Sequence, residues 1–201
     1  MPMRRASSPK RYRLLSVDAA DISIPSGLTV ITGGARSGKS TLAQRIGESW
    51  RGEVCFVATA TAGDDDMAQR IARHRSERPD SWITIESPIE VVSDVRTVKS
   101  GSLMIIDCLT MWVSNLVLQG VQLDKVEVAA SNLGQFLNQR ESPTVVVTNE
   151  VGLGIVPEND LARRYRDALG RVNQLISQQA QLTLFASMGQ VIKLKNIEDL
   201  L

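Results

Sequence analysis

Apolar and polar positions fall in alternating blocks along this chain. Five short runs rich in apolar and β-branched residues, at 28–32, 54–58, 83–86, 103–107 and 144–148, read as strands. Their near-continuous hydrophobicity suits parallel strands buried on both faces. Between them the apolar positions recur three and four apart, as one buried helical face requires. The segment 40–50 shows this with Leu42, Ile46 and Trp50, and 65–75, 88–98, 109–118 and 123–140 read as further helices. A longer helix is expected from Asn159 or Asp160 to about Ala180, with Leu161, Tyr165, Ala168, Val172, Leu175 and Ile176 on one face. Arg163, Arg164, Arg166 and Arg171 occupy its other face. Runs at 182–186 and 191–194, separated by Gly189, predict two closing strands around a tight turn. The alternation predicts an α/β fold, a doubly wound, mostly parallel sheet of about seven strands with helices on both faces.

Composition narrows this little. A chain of 201 residues with 43% hydrophobic content suits one domain with a sizeable core. Five of the 23 basic residues lie in the first thirteen positions, which hold no acid, leaving 18 basic against 22 acidic residues beyond them. Charge therefore does not indicate a nucleic-acid-binding surface. Residues 1–27 read as an N-terminal extension, partly disordered, with an edge strand through Asp21 to Ile24 as its one structural option; 28–201 read as the catalytic domain. Cys55 and Cys108 are far apart, and with a single histidine in the chain neither a disulfide scaffold nor a zinc site is expected. Eighteen consecutive apolar residues occur nowhere, so no membrane span is expected, and the compartment expected is the cytoplasm.

The sharpest chemical signal directly follows the first strand. Gly33, Gly34, Ala35, Arg36, Ser37, Gly38, Lys39 and Ser40 complete the pattern G-x-x-x-x-G-K-[ST] between that strand and the helix at 40–50. Glycines there let backbone N–H groups turn toward phosphate oxygens, Lys39 adds a compact positive charge, and Ser40 can ligate Mg²⁺ where the helix dipole favours anions. This is the phosphate-binding loop (P-loop) of an NTPase-type fold, and it predicts nucleoside triphosphate binding.

Three weaker signals accompany it. Asp107 ends the run at 103–107, where a carboxylate emerges beside the phosphates and can hold Mg²⁺ directly or through water. Capping the next helix would explain an acid there equally well. His74 stands among Arg73, Arg75 and Arg78 at the end of a helix opened by Asp64, Asp65 and Asp66. Three arginines suit phosphate oxygens, and their charge favours a neutral, nucleophilic imidazole, although a solvated basic helix end is the plainer alternative. The polar, glycine-rich stretch 148–158 follows the fifth strand, at the sheet edge where ligand-contacting loops gather.

Taken together, the P-loop with Thr32 before it, His74-Arg-x-x-Arg-Pro79, Thr148-Asn-Glu-Val-Gly-x-Gly-Ile-Val-Pro-Glu158 and Tyr165-Arg-Asp-x-x-Gly-Arg-Val-Asn-Gln174 resemble the bifunctional adenosylcobinamide kinase/adenosylcobinamide-phosphate guanylyltransferases of cobalamin biosynthesis. The resemblance runs from about residue 28 to 195. It implies phosphorylation of the aminopropanol hydroxyl of adenosylcobinamide with ATP or GTP, followed by transfer of GMP from GTP onto adenosylcobinamide phosphate. It places the transient GMP carrier on His74. It places nucleotide contacts on residues 33–40, on Ala58, Thr59 and Ala60, on Arg75, Ser76, Glu77 and Arg78, and on Glu86 and Asp107. A homotrimer is implied as well. Two departures stand out: Arg73 replaces a second histidine found in some relatives, and the stretch from Met188 to Lys193 lacks a proline expected near its turn. Two other functions remain open on the residues alone, a simple P-loop small-molecule kinase and a nucleotide-gated binding protein.

Overall fold

The computed structural model describes residues 23–200. Strands β1 (Gly27–Gly33), β2 (Val54–Ala58), β3 (Ile83–Glu86), β4 (Leu103–Asp107), β5 (Pro143–Val147), β6 (Leu182–Ser187) and β7 (Gln190–Leu194) form one sheet in the order β3-β2-β4-β5-β1-β6-β7. All neighbours run parallel except β6 and β7, which pair antiparallel. Helices α1 (Lys39–Ser49), α2 (Asp65–Ser76), α3 (Val91–Asp94), α4 (Leu109–Leu118), α5 (Leu123–Asn138) and α6 (Asp160–Ser177) complete the α/β fold. Most of the extension lies outside the described residues; of its option of an edge strand through residues 21–24, Ser23 and Ile24 fall within them and join no strand.

The strand period of two sorts the core into two layers. Leu28, Val30, Cys55, Val57, Met104 and Ile106 face α4, α5 and α6, whereas Ile31, Val54, Phe56, Leu103 and Ile105 face α1. Both faces of the central strands are thus dry, as their apolar runs imply.

The β3 run differs from that expectation. Ile83 is 48% exposed and Thr84 and Glu86 are also open, because β3 pairs only with β2 and forms the sheet edge. The single helix expected over 88–98 is instead the short α3 followed by a 3₁₀ turn at Val95–Thr97. Four valines in that stretch are stiff at χ1 and resist helix, while the Ser93 and Thr97 hydroxyls donate to the carbonyls of Glu90 and Asp94. On α6 the buried face is Ala168, Leu169, Val172 and Ile176, with Tyr165 and Leu175 beside it; Leu161 in the first turn is 43% exposed. The stretch without the expected proline forms the β6–β7 turn and the start of β7. Met188 and Gly189 have φ of 53° and 73°, the left-handed pair of a tight hairpin, and proline's fixed negative φ fits neither position.

Candidate functional site

The P-loop connects β1 to α1 through two glycines with backbone-imposed roles. A Cβ on Gly33 would lie 2.1 Å from the Ala186 carbonyl oxygen of β6, and Gly38, the N-cap of α1, has φ 100°. The loop can therefore turn its N–H groups inward at the positive end of the α1 dipole, where no acid competes in the first turn. Lys39 is buried and donates to the Gly34 carbonyl and, at 3.2 Å, to the Ser37 hydroxyl. Desolvation lowers its ammonium pKa, an effect opposed by Cys108 and Asp107. Ser40, Gly34, Ala35 and Arg36 remain open to solvent.

Asp107 ends β4 beside this loop. Burial raises its carboxyl pKa, while the Ser40 hydroxyl and then the charges of His74, Arg78 and Lys39 draw it back. Four other expected site residues, from two further segments, thus act on Asp107. The helix-cap alternative is not what the fold uses: Cys108 occupies the N-cap of α4, and no side chain caps that end. Burial, with Asp107 adding to it, pushes the Cys108 thiol up to about 12, so it stays protonated at neutral pH and is no competing nucleophile.

Thr59 ties the segment after β2 to the one after β4. Its hydroxyl donates to the Cys108 carbonyl at 2.7 Å and accepts from the Cys108 N–H at 2.8 Å. Asn115 of α4 donates to the Thr59 and Pro88 carbonyls at 2.9 and 3.0 Å, which fixes this clamp. Ala58 and Ala60 flank Thr59, both half-buried at the same edge.

His74 lies on α2, a helix with no buried residue. Asp64 caps it by accepting from the Met67 N–H at 2.7 Å. Its far end is held to the body through Gln44 of α1, which donates to the Glu77 carbonyl at 2.8 Å, and through Arg78. That guanidinium donates to the His74 carbonyl at 3.0 Å and lies 4.0 Å from the centre of the Phe56 ring. The three arginines do not converge into one phosphate site. Arg78 faces Asp107, but Arg75 pairs with Glu86 at 3.6 Å and Arg73 with Glu77 at 4.0 Å. Helical spacing puts Arg73 and Arg75 on different sides of α2 and Arg78 lies beyond its end, so their proximity in sequence overstated their convergence. Ser76 is exposed, its hydroxyl turned back onto the Arg73 carbonyl.

The stretch 148–158 is anchored at its start. The N–H groups of Thr148 and Glu150 donate to the carbonyls of Ile31 and Gly33, and that of Asn149 to the Thr110 hydroxyl. Asn173 of α6 accepts from the Thr148 hydroxyl at 2.7 Å and donates to the Asn149 carbonyl at 2.9 Å. Beyond the anchor Leu153 and Ile155 are 81% and 98% exposed. Sequence reasoning missed Asn115 and the anchoring role of Asn173, since nothing in their spacing identifies the carbonyls they reach. Among the described residues no group of three or more His, Cys, Asp and Glu could hold a metal, and no helix is long and apolar enough to cross a membrane.

The chain is 38% identical over 167 residues to the bifunctional adenosylcobalamin biosynthesis protein CobP of Pseudomonas aeruginosa, covering 83% of this chain and 96% of the relative. It is 37% identical over 182 residues to the corresponding CobU protein of Escherichia coli, covering 84% and 99%. A solved protein of Pyrococcus horikoshii shares the fold with TM-score 0.52 at 11% identity, over 86% of this chain and 88% of that one. A model of the cobinamide kinase / cobinamide phosphate guanyltransferase family matches residues 29–194, and the chain belongs to that family.

Proposed function

We propose that this chain phosphorylates adenosylcobinamide with ATP or GTP and then joins GMP to the product, in keeping with its cobinamide kinase / cobinamide phosphate guanyltransferase family and with relatives named as bifunctional adenosylcobalamin biosynthesis proteins. The observation that carries this reading is that Arg78, 4.0 Å over the Phe56 ring of β2, donates to the His74 carbonyl at 3.0 Å and so holds the end of the His74 helix at the strand that pairs with β4 and its Asp107.

In the kinase step the acceptor hydroxyl oxygen attacks the γ-phosphorus, the bond to the β-phosphate oxygen breaks, and nucleoside diphosphate and a proton leave. The loop N–H groups and Lys39 position the triphosphate, which supplies most of the catalysis in phosphoryl transfer. In the second reaction an imidazole nitrogen of His74 attacks the α-phosphorus of GTP, pyrophosphate leaves, and a P–N bond holds GMP on the enzyme. A phosphate oxygen of adenosylcobinamide phosphate then attacks that phosphorus. The P–N bond breaks, the imidazole is restored, and adenosylcobinamide-GDP is released. Arg78 spreads the equatorial charge of the α-phosphoryl group. Ser40 and Asp107 would hold Mg²⁺ together with phosphate oxygens, which suits an ion that binds through one or two protein oxygens and keeps waters. That ion would supply charge neutralisation on the triphosphate. Further nucleotide contacts fall to residues 33–40, 58–60, 75–78 and Glu86. The catalytic unit spans 28–201, with 1–27 as an extension, and works in the cytoplasm as a homotrimer.

The test is incubation of the whole chain with α-labelled GTP and Mg²⁺, followed by intact-protein mass spectrometry. A GMP-sized mass increase that discharges on adding adenosylcobinamide phosphate is the expected result. No increase leaves a simple kinase or a nucleotide-gated binding protein as the reading.

A further inference from the structure

The cavity of about 580 Å³ does not lie over the P-loop but behind it, between α6 and the sheet. Thr32 and Thr148 line its end nearest the P-loop, and Arg166, Gly170, Asn173 and Gln174 of α6 form one wall. Val30 and Leu194 give it an apolar floor. Thr32 immediately precedes Gly33, and the N–H of Glu150, also in the lining, donates to the Gly33 carbonyl at 3.1 Å. The cavity thus adjoins the first residue of the P-loop.

Two observations mark it as built for a ligand. The Thr32 hydroxyl is buried with no hydrogen-bond partner, and of the six such side-chain atoms among the described residues it is the one that lines this cavity. Gly170 sits inside α6, where glycine weakens a helix, yet a Cβ there would meet nothing within 4 Å. Packing within the chain does not require that glycine. What a side chain at 170 would occupy is the cavity.

We infer that this cavity seats the arm of the corrinoid acceptor that bears the reacting hydroxyl or phosphate, an inference that rests on the function proposed above. The chemistry matches. The arm ends in a hydroxyl or phosphate, and the unpartnered Thr32 hydroxyl, the Gln174 amide N–H groups and the Arg166 guanidinium at the cavity wall offer it complementary groups. The volume lies in the range of small-molecule sites but is too small for a whole corrinoid. The macrocycle stays outside, against the exposed Leu153 and Ile155 of the adjoining stretch.

The test uses the full chain with Gly170→Leu, which fills the cavity, Gly170→Ala, which fills little of it, and Thr32→Val, which removes the unpartnered hydroxyl at constant shape. Readouts are KM and kcat for adenosylcobinamide phosphorylation, GMP-adduct yield without acceptor, melting temperature and oligomer mass. Gly170→Leu is expected to raise the adenosylcobinamide KM at least about tenfold, an order of discrimination that lost pocket contacts supply. The adduct should still form and the melting temperature should not fall; Gly170→Ala and Thr32→Val should shift KM by a few-fold. An unchanged KM in Gly170→Leu overturns the inference, and a changed oligomer mass with unchanged KM makes the cavity an interface between copies instead. Wild-type chain that neither forms the adduct nor phosphorylates the corrinoid overturns the functional reading itself, a different outcome from either.

Discussion

The P-loop with β4 and the helix that carries His74 are built on opposite principles. Lys39 and Ser37 are buried, Asp107 ends a strand paired on both sides, and Thr59 clamps the next peptide from two directions. Helix α2 buries no residue and is tied down by an N-cap, one bond from Gln44 and the stacked Arg78. The difference matches what each must do. Under the proposed function the loop positions a triphosphate for both transfers, and sub-ångström placement needs rigid support. His74 would there meet a phosphorus twice, once on GTP and once as the acceptor attacks, and a lightly held arm suits that task. Few buried contacts also mean low local stability, so amide hydrogens of α2 should exchange well before those of α4.

Removing the rigid half gives the largest expected effect. Lys39→Ala should lower kcat for both transfers by at least about 10²- to 10³-fold, the range for loss of one preorganised charge-stabilising group. Steady-state assays of each step check it; near-normal kinase turnover would remove Lys39 from its role. His74→Ala should abolish the GMP adduct and guanylyl transfer while changing the kinase step only a few-fold, because γ-phosphoryl transfer needs positioning and not this imidazole. A GMP-sized mass shift that survives in His74→Ala places the carrier on another side chain and undoes the contrast drawn between the two regions.

The two regions were also unequally legible in the sequence. The P-loop is a contiguous pattern whose spacing is its mechanism, so its eight residues, its strand and its helix could all be read directly. The bounds of β2, β3, β4 and α4 agree with the apolar runs. Where tertiary context decides, the pattern misled. The apolar character of Ile83 does not reveal that β3 is an edge, and the valines of 88–98 carry helical spacing in a chain that folds there into two short turns. The arginines around His74 are adjacent in sequence, but helical geometry gives Arg73 and Arg75 to acidic partners. Asn115 and Asn173 secure the site through carbonyls from other segments, partners that no local pattern encodes.

Asp107→Asn is the next effect in size and separates the metal-holding role proposed for it from its cost to the fold. The amide keeps the shape and removes the charge, so use of Mg²⁺-nucleotide should fall about 10- to 100-fold, as when a group supporting a metal site is lost. Stability should move the other way. Burial raises the carboxyl pKa in the folded chain above its unfolded value. The stabilising contribution is then full below about pH 3.9, the ordinary carboxylate value, and is lost as pH rises through the folded pKa. Nucleotide-free Asp107→Asn should therefore melt above wild type at neutral pH, with the gap closing as pH falls toward 4. A variant that melts lower at neutral pH would mean that the carboxylate supports the fold.

The smallest effect probes the arm itself. Arg78→Lys keeps the positive charge near Asp107 but loses the planar guanidinium that stacks on Phe56 at 4.0 Å and bonds the His74 carbonyl at 3.0 Å. A cation–π contact of this kind is worth about 0.5–1 kcal/mol at exposed sites. Global melting should hardly change, because α2 contributes no buried side chain to the core. What should change is local: faster hydrogen exchange over residues 65–78 and a few-fold slower formation of the GMP adduct, with the kinase step unaffected. If exchange over α2 stays as in wild type while adduct formation slows, Arg78 acts on the α-phosphoryl group alone, and the arm is held by Gln44 and the Asp64 cap. If both the exchange and the kinase step change, α2 is coupled to the P-loop more tightly than its surface contacts imply, and the division between a rigid loop and a lightly held nucleophile gives way.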